Sequence, residues 1–275
     1  MDKDVFSHSE DEPTSNLNAN TTNSENVKVR KWSKRVAITL LVVIVLCCAG
    51  FFVYVSDYYH AGPIAESDMN EQVSLGLIQE NDTQISVGSR DAQVGIILYP
   101  GAKVDPKAYV PLAEELADRG YYCAIVKMPF NLAFFGIDSA NTVINSAPGV
   151  DLWWIAGHSL GGAMAAQYAS NHTDALEGLF LLAAYSATDL SDSSLTVDIL
   201  YGSNDGVLNR DALIANAGNM PAESGTYVIN GGNHAGFGDY GPQEGDGESS
   251  IGAAAQWKET ALYMDGVIQK ELTAV

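Results

Sequence analysis

Three cysteines, five histidines and only 14 lysines and arginines are spread over 275 residues. The cysteine shortage excludes a disulfide-stapled fold: Cys47 and Cys48 share one apolar run, so Cys123 is the only cysteine beyond it and has no partner for an internal bridge. The shortage of bases excludes nucleic acid as a partner. Residues 1–35 hold six basic and six acidic groups, so the formal charge of −20 falls entirely on the residues after 55, as 8 basic against 28 acidic groups. A domain that acidic repels polyanions, whose binding relies on Lys and Arg neutralising phosphates. The chain is nevertheless not a disordered one, because 47% of it is hydrophobic and 17% charged.

Residues 36–55 read VAITLLVVIVLCCAGFFVYV, with no charge, Asn, Gln or Pro. A helix of that length spans about 30 Å, the thickness of a bilayer core. A cleaved signal peptide is the competing reading, but its apolar core is shorter and follows a short basic segment rather than a 35-residue tail. Lys28, Arg30, Lys31, Lys34 and Arg35 crowd the N-terminal flank, whereas the other flank has no Lys or Arg until Arg90. The positive-inside rule then places the tail in the cytoplasm and everything after the span outside the cell membrane. The expected domains are a disordered cytoplasmic tail with a basic juxtamembrane end over 1–35, a transmembrane helix over 36–55, a polar linker over 56–82 and a globular domain over 83–275.

In that last region short Val/Ile/Leu/Tyr runs at 84–87, 94–99, 122–127, 152–156, 178–183, 197–201 and 226–229 predict strands. Several are continuously apolar, as strands buried on both faces are. Amphipathic segments alternate with them: one opens at Asp105-Pro106 and ends at Gly120, and others cover 160–170, 210–217 and 251–272. The alternation predicts an α/β fold, a mostly parallel doubly wound sheet. Only about a dozen residues separate Ala183 from Val197, too few for a cap domain.

The strand at 152–156 runs into Gly157-His158-Ser159-Leu160-Gly161-Gly162 and then a helix. Glycines two before and two after a serine permit a sharp strand-to-helix turn that exposes its hydroxyl at a helix N-terminus. Such a hydroxyl is a poor nucleophile without a base. His8 lies in the tail, His60 beside the span, His158 inside the turn and His172 at a helix end; His234 remains, in a Gly-rich loop after the last strand. The base needs a carboxylate to fix its tautomer. Asp205 follows the strand at 197–201, while its rival Asp198 lies within that strand and Asp189 and Asp192 sit in a polar loop. The acids of the loop 239–248 lack the spacing of a calcium-binding loop and read as solvated.

Four segments, GHSLGG, YGSND, GGNHAGFGDYG and PGAKVDPKAY, together resemble the α/β-hydrolase superfamily over roughly residues 73–272, and their spacing resembles its compact, lidless branch that includes dienelactone-hydrolase-like proteins. Those enzymes use a cysteine where this chain has Ser159, so lactone chemistry is not carried over. The stretch KMPFNLAFFG is similar to that of membrane-anchored hydrolases of this kind. The resemblance implies a Ser159, Asp205, His234 triad and an oxyanion hole from the Leu160 and Ala102 N–H groups. The expectation is a membrane-anchored, extracytoplasmic serine hydrolase cleaving carboxylic esters or related acyl bonds without cofactor or metal. Its partners are a small acyl-ester substrate, neutral or cationic, and the bilayer, with no obligate protein partner. Met128, Phe130, Leu132, Phe134 and Phe135 either line an acyl pocket or pack a connection onto the sheet. Acyl transfer by the same triad, and a catalytically silent binding or envelope protein, are the alternative functions.

Overall fold

A computed structural model describes the backbone of residues 17–274 and the side chains of residue 32 and residues 34–274. The chain falls into two units, the first ending at Tyr54 and the second beginning at Val55.

Helix α1 is Leu17–Ser56, and its part Lys34–Ser56 is long and apolar enough to cross a membrane. Residues 17–35 are therefore helical, where a disordered tail was expected; residues 1–16 of that tail lie outside the described residues. Extending a helix from an existing nucleus is much easier than starting one, so polar residues continue the turn that the apolar run begins.

The second unit is a single eight-stranded sheet: β1 (Ile78–Glu80), β2 (Gln84–Val87), β3 (Val94–Tyr99), β4 (Tyr122–Val126), β5 (Leu152–His158), β6 (Gly178–Leu182), β7 (Thr196–Gly202) and β8 (Gly225–Ile229). Their order is β1-β2-β4-β3-β5-β6-β7-β8. The β1–β2 and β2–β4 pairs are antiparallel and every other pair is parallel. Strands β3, β4 and β6 are buried along their whole length because both faces are covered. Alternate residues feed separate cores. Ile96 and Leu98 of β3 pack with α3 (Val110–Ala117) and α7 (Ala253–Ala274), whereas Ile97 and Tyr99 pack with α4 (Ser139–Ser146) and α5 (Leu160–Asn171); the short α6 (Arg210–Ala215) follows β7. Trp154 of β5 stacks on Phe180 of β6 with ring centroids 5.0 Å apart. The connection 183–195 contains no helix, so no cap covers the strand ends from that side.

Residues 56–82 are not the expected linker. They hold α2 (Pro63–Ser74) and β1, and Tyr59 forms a parallel bridge with Val104. Its N–H donates to the Lys103 carbonyl at 2.7 Å, and its own carbonyl accepts from Asp105 N–H at 2.9 Å. Sequence alternation is weak here because only Ala65 and Met69 of α2 are buried. Long-range bonds supply the rest: the Asp239 carboxylate accepts from Ala65 N–H at 2.9 Å.

Helix α2 faces α3 with carboxyl against carboxyl. Burial, then the neighbouring Asp68, raises the Glu114 carboxyl to about 7, with Asp118 and Glu71 adding to it. Asp68 is raised as well, by burial, against the hydrogen bond to Glu114, with Asp239 and Glu71 nearby. A carboxyl raised on folding favours the protonated native state, so this contribution is full below about 4.3 and is lost as pH climbs through about 7. Glu114→Gln is expected to flatten the fall in melting temperature between pH 5 and 8 measured by scanning calorimetry of the full chain in detergent. An unchanged slope would remove Glu114 from the account.

Candidate active site

The four segments singled out in the sequence all leave the C-terminal ends of parallel strands, the edge of an open α/β sheet where reactive groups gather. Ser159 stands between β5 and α5 at φ 53°, ψ −121°. This is a region that side-chain-bearing residues avoid, at a strain of about 1–3 kcal/mol. The turn survives because its neighbours hold it: Ser159 N–H donates to the Leu182 carbonyl at 2.9 Å, and the Ser159 carbonyl accepts from Gly162 N–H at 3.0 Å. It also needs the flanking glycines. A Cβ on Gly157 would run into the Gly161 carbonyl, and one on Gly161 into the Tyr99 carbonyl. The G-x-S-x-G spacing is thus a packing requirement of this turn.

Asp205 lies three residues beyond β7 and is buried. Its Oδ1 accepts from Val207 N–H at 2.9 Å and Leu208 N–H at 2.8 Å, an Asx-type turn that fixes the carboxylate. Its Oδ2 lies 3.0 Å from His234 Nδ1. Burial alone would raise the Asp205 carboxyl, but the His234 imidazole and the two N–H donors hold it below its ordinary value. His234, 1% exposed, follows β8 in the loop 230–236, and its Nε2 meets no hydrogen-bond partner. The structure therefore pairs Asp205 with His234 and makes no Ser159–His234 hydrogen bond. Ser159 is linked to the pair through its neighbour His158, whose ring centroid is 4.7 Å from that of His234.

Neither Ala102 nor Leu160 N–H donates to a backbone acceptor among the described turn and loop bonds, whereas Gly101 N–H is taken by Tyr109 Oη at 2.9 Å. Tyr109 Oη in turn lies 2.8 Å from His158 Nδ1. Burial raises the Tyr109 hydroxyl, and burial first and His234 second lower His158 well below an ordinary imidazole. Tyr109 therefore keeps its proton and donates to a neutral His158, which ties the loop after β3 to the serine turn. Sequence reading missed this link, since Tyr109 carried only a helical-spacing signal.

Asp198 lies in the middle of β7, accepting from Tyr263 Oη at 2.9 Å, and is raised by burial despite that bond. It is remote in role from the Asp205–His234 pair. Asp189 is exposed and accepts from Ser191, and His172 stacks on Tyr168 at a helix end. In the segment 127–136, Met128 and Leu132 are buried while Phe130, Phe134 and Phe135 are 45–47% exposed, the Phe135 ring touching both of the others. Lys103 N–H donates to the Asn131 carbonyl at 2.7 Å, which holds this aromatic ledge against the loop that carries Ala102. Among the described residues no group of three or more His, Cys, Asp or Glu is placed to hold a metal ion.

Comparison with known proteins gives the same architecture. A family model described as "Alpha/beta hydrolase family" matches residues 95–258. No curated protein matches. Among solved structures, a predicted CIB-like hydrolase from Thermoplasma acidophilum superposes with a TM-score of 0.52 at 16% identity, covering 69% of this chain and 96% of its own. A membrane phospholipase A described as a bacterial virulence factor gives 0.51 at 14%, covering 84% and 99%. A thermophilic esterase from Thermogutta terrifontis gives 0.50 at 12%, covering 68% and 94%. Identities this low establish likeness of fold.

Proposed function

The chain belongs to the alpha/beta hydrolase family, and from that premise we propose that it is a membrane-anchored serine hydrolase that cleaves carboxylic esters or related acyl bonds outside the cytoplasm. The observation that carries this reading is the buried Asp205–His234 pair, with Nε2 buried and unpartnered on the far side of the imidazole, at the same sheet edge as a serine in a strained strand-to-helix turn. Ser159 Oγ attacks the acyl carbonyl carbon while His234 Nε2 takes the hydroxyl proton. Asp205 holds the Nδ1–H tautomer and balances the imidazolium. The tetrahedral oxyanion sits against the N–H groups of Leu160, at the start of α5, and Ala102. On collapse His234 returns the proton to the leaving alcohol, and water repeats the sequence on the acyl-enzyme. The serine–histidine bond is often long without substrate and tightens in the complex, so its absence here is compatible with these roles.

The anchor is the helix part Lys34–Ser56, and the basic residues before it favour a cytoplasmic N-terminus. The acidic outer domain favours neutral or cationic esters. One structural neighbour acts as a membrane phospholipase A, so acyl length is the variable to scan. The test is labelling of the full chain in membranes by a fluorophosphonate, followed by hydrolysis of esters of increasing acyl length. Labelling with turnover is expected, and preference for long chains would give the ledge of Phe130, Phe134 and Phe135 a role. A wild-type chain that neither labels nor turns over any ester would sink the assignment and favour a silent binding protein. Ester products formed with an added alcohol would point to acyl transfer.

A further inference from the structure

The loop 239–248, whose acids have the composition of a solvated surface, contains one carboxylate with a different task. Asp246 Oδ1 accepts from His234 N–H at 3.1 Å, from Gly206 N–H at 3.1 Å and from Gly247 N–H at 2.8 Å. Its Oδ2 accepts from Ala235 N–H at 2.8 Å. Gly206 is the residue after Asp205, and Ala235 the residue after His234. A single side chain thus grips the main chain of both turns, each within one residue of the paired groups. We infer that Asp246 is a positioning residue that clamps the Asp205 turn to the His234 turn and so sets the imidazole in register with its carboxylate. This inference rests on the hydrolase reading above.

The physical case is one of unsatisfied donors. The two turns leave N–H groups of Gly206, His234 and Ala235 pointing into the gap between them, and a charged acceptor with two oxygens serves all three at once. Among the described residues no backbone bond does this work: the turns are linked by Asn204 N–H to the Gly232 carbonyl at 2.9 Å, Ser203 N–H to the Ile229 carbonyl at 2.9 Å and Gly231 N–H to Ser203 Oγ at 2.8 Å, all before the paired residues. The other side of the base loop is held by the fully buried Gln256 of α7, whose Oε1 accepts from Asn233 N–H at 3.0 Å and whose Nε2 donates to the Asn233 carbonyl at 2.9 Å. Gln256 fixes the approach to His234, whereas Asp246 accepts from the main chain of both turns, beside the direct Asp205–His234 bond. A shift of about 1 Å in a reacting group lowers rates by about 100-fold, so a clamp at this point bears on turnover far more than on substrate affinity.

Asp246→Asn tests the clamp. The amide keeps the size but offers one acceptor, and turns N–H donors toward N–H groups on the other side. Turnover is measured per site titrated by a fluorophosphonate, in the full chain in detergent, with a short-chain p-nitrophenyl ester. The expected result is a fall in kcat per labelled site of about 10–100-fold with KM within about twofold, and an acid limb of kcat/KM moved to lower pH because a negative charge near the imidazole is gone. Combined with Asp205→Asn the two losses are expected to be strongly non-additive, since both act through His234. Glu244→Gln, an exposed acid of the same loop, is expected to leave every readout unchanged. If Asp246→Asn lowers only the labelled fraction or the melting temperature, while kcat per labelled site and the pH profile stay as in wild type, Asp246 is structural and the inference falls. Where the amide yields no folded protein, Asp246→Ser is measured in the same way: a fall in kcat per labelled site upholds the clamp, and a wild-type value overturns it. A wild-type chain that does not label removes the hydrolase reading, and the clamp with it.

Discussion

Ser159→Ala is expected to lower ester turnover by roughly 10⁴–10⁶-fold and to abolish fluorophosphonate labelling, while the melting temperature stays within a degree or two of wild type. The size follows from the role: without Oγ there is no acyl-enzyme, and only the oxyanion donors and substrate binding remain. The stability argument follows from the backbone. At φ 53° both serine and alanine carry a Cβ, so the strain of the turn is the same in both chains. Ser159→Gly separates the two effects further. It removes the proposed nucleophile and also the strained Cβ, relieving about 1–3 kcal/mol against a loss of about 0.5–1 kcal/mol from glycine's greater freedom when unfolded. A dead enzyme that melts at or above the wild-type temperature is therefore the expected signature of this position. Residual labelling in Ser159→Ala would place the nucleophile elsewhere.

The parallel part of the sheet was readable because buried strands announce themselves. The runs at 94–99, 152–156 and 178–183 have no polar face, and each became a strand within two residues of its expected bounds. Ser159, Asp205 and His234 could be placed at one sheet edge because each lies close behind the C-terminal end of a strand: Ser159 directly after β5, Asp205 three residues after β7 and His234 five after β8. Other features had no local signal. Helix α2 buries only two side chains, and its start depends on Asp239, 174 positions away. Strand β1 buries one residue of three and is defined by pairing with β2. Asp246 looked like its solvated neighbours because its partners, Gly206 and His234, are 40 and 12 positions distant and offer main-chain groups that carry no sequence mark. Side-chain-to-side-chain chemistry left a pattern in the sequence, and side-chain-to-backbone chemistry across loops did not.

Asp205→Asn is expected to lower kcat by about 10⁴-fold with the fold intact, and the reason lies in how the two carboxylate oxygens divide their work. Oδ1 serves the turn through Val207 and Leu208 N–H and lies 3.2 Å from His234 Nδ1, while Oδ2 makes the shorter contact with that nitrogen at 3.0 Å. An asparagine keeps its oxygen where the two N–H donors are and so presents its NH₂ to Nδ1. At this shorter contact the imidazole then accepts at Nδ1 and carries its proton on Nε2, the atom proposed to receive the serine proton. The tautomer is wrong while the turn is preserved. Acid stability changes in a fixed direction as well. The Asp205 carboxyl is held below its ordinary value in the folded chain, so its stabilisation is present above about pH 4 and is lost as pH falls through the lower folded value. The asparagine chain is expected to lose less melting temperature between pH 5 and pH 3 than wild type. Asp198→Asn provides the contrast: its carboxylate is bonded to Tyr263 and lies within β7, so kcat is expected to change by less than about twofold. If Asp205→Asn retained more than a tenth of wild-type kcat and Asp198→Asn lost a thousandfold, the orienting acid would have to be moved to Asp198.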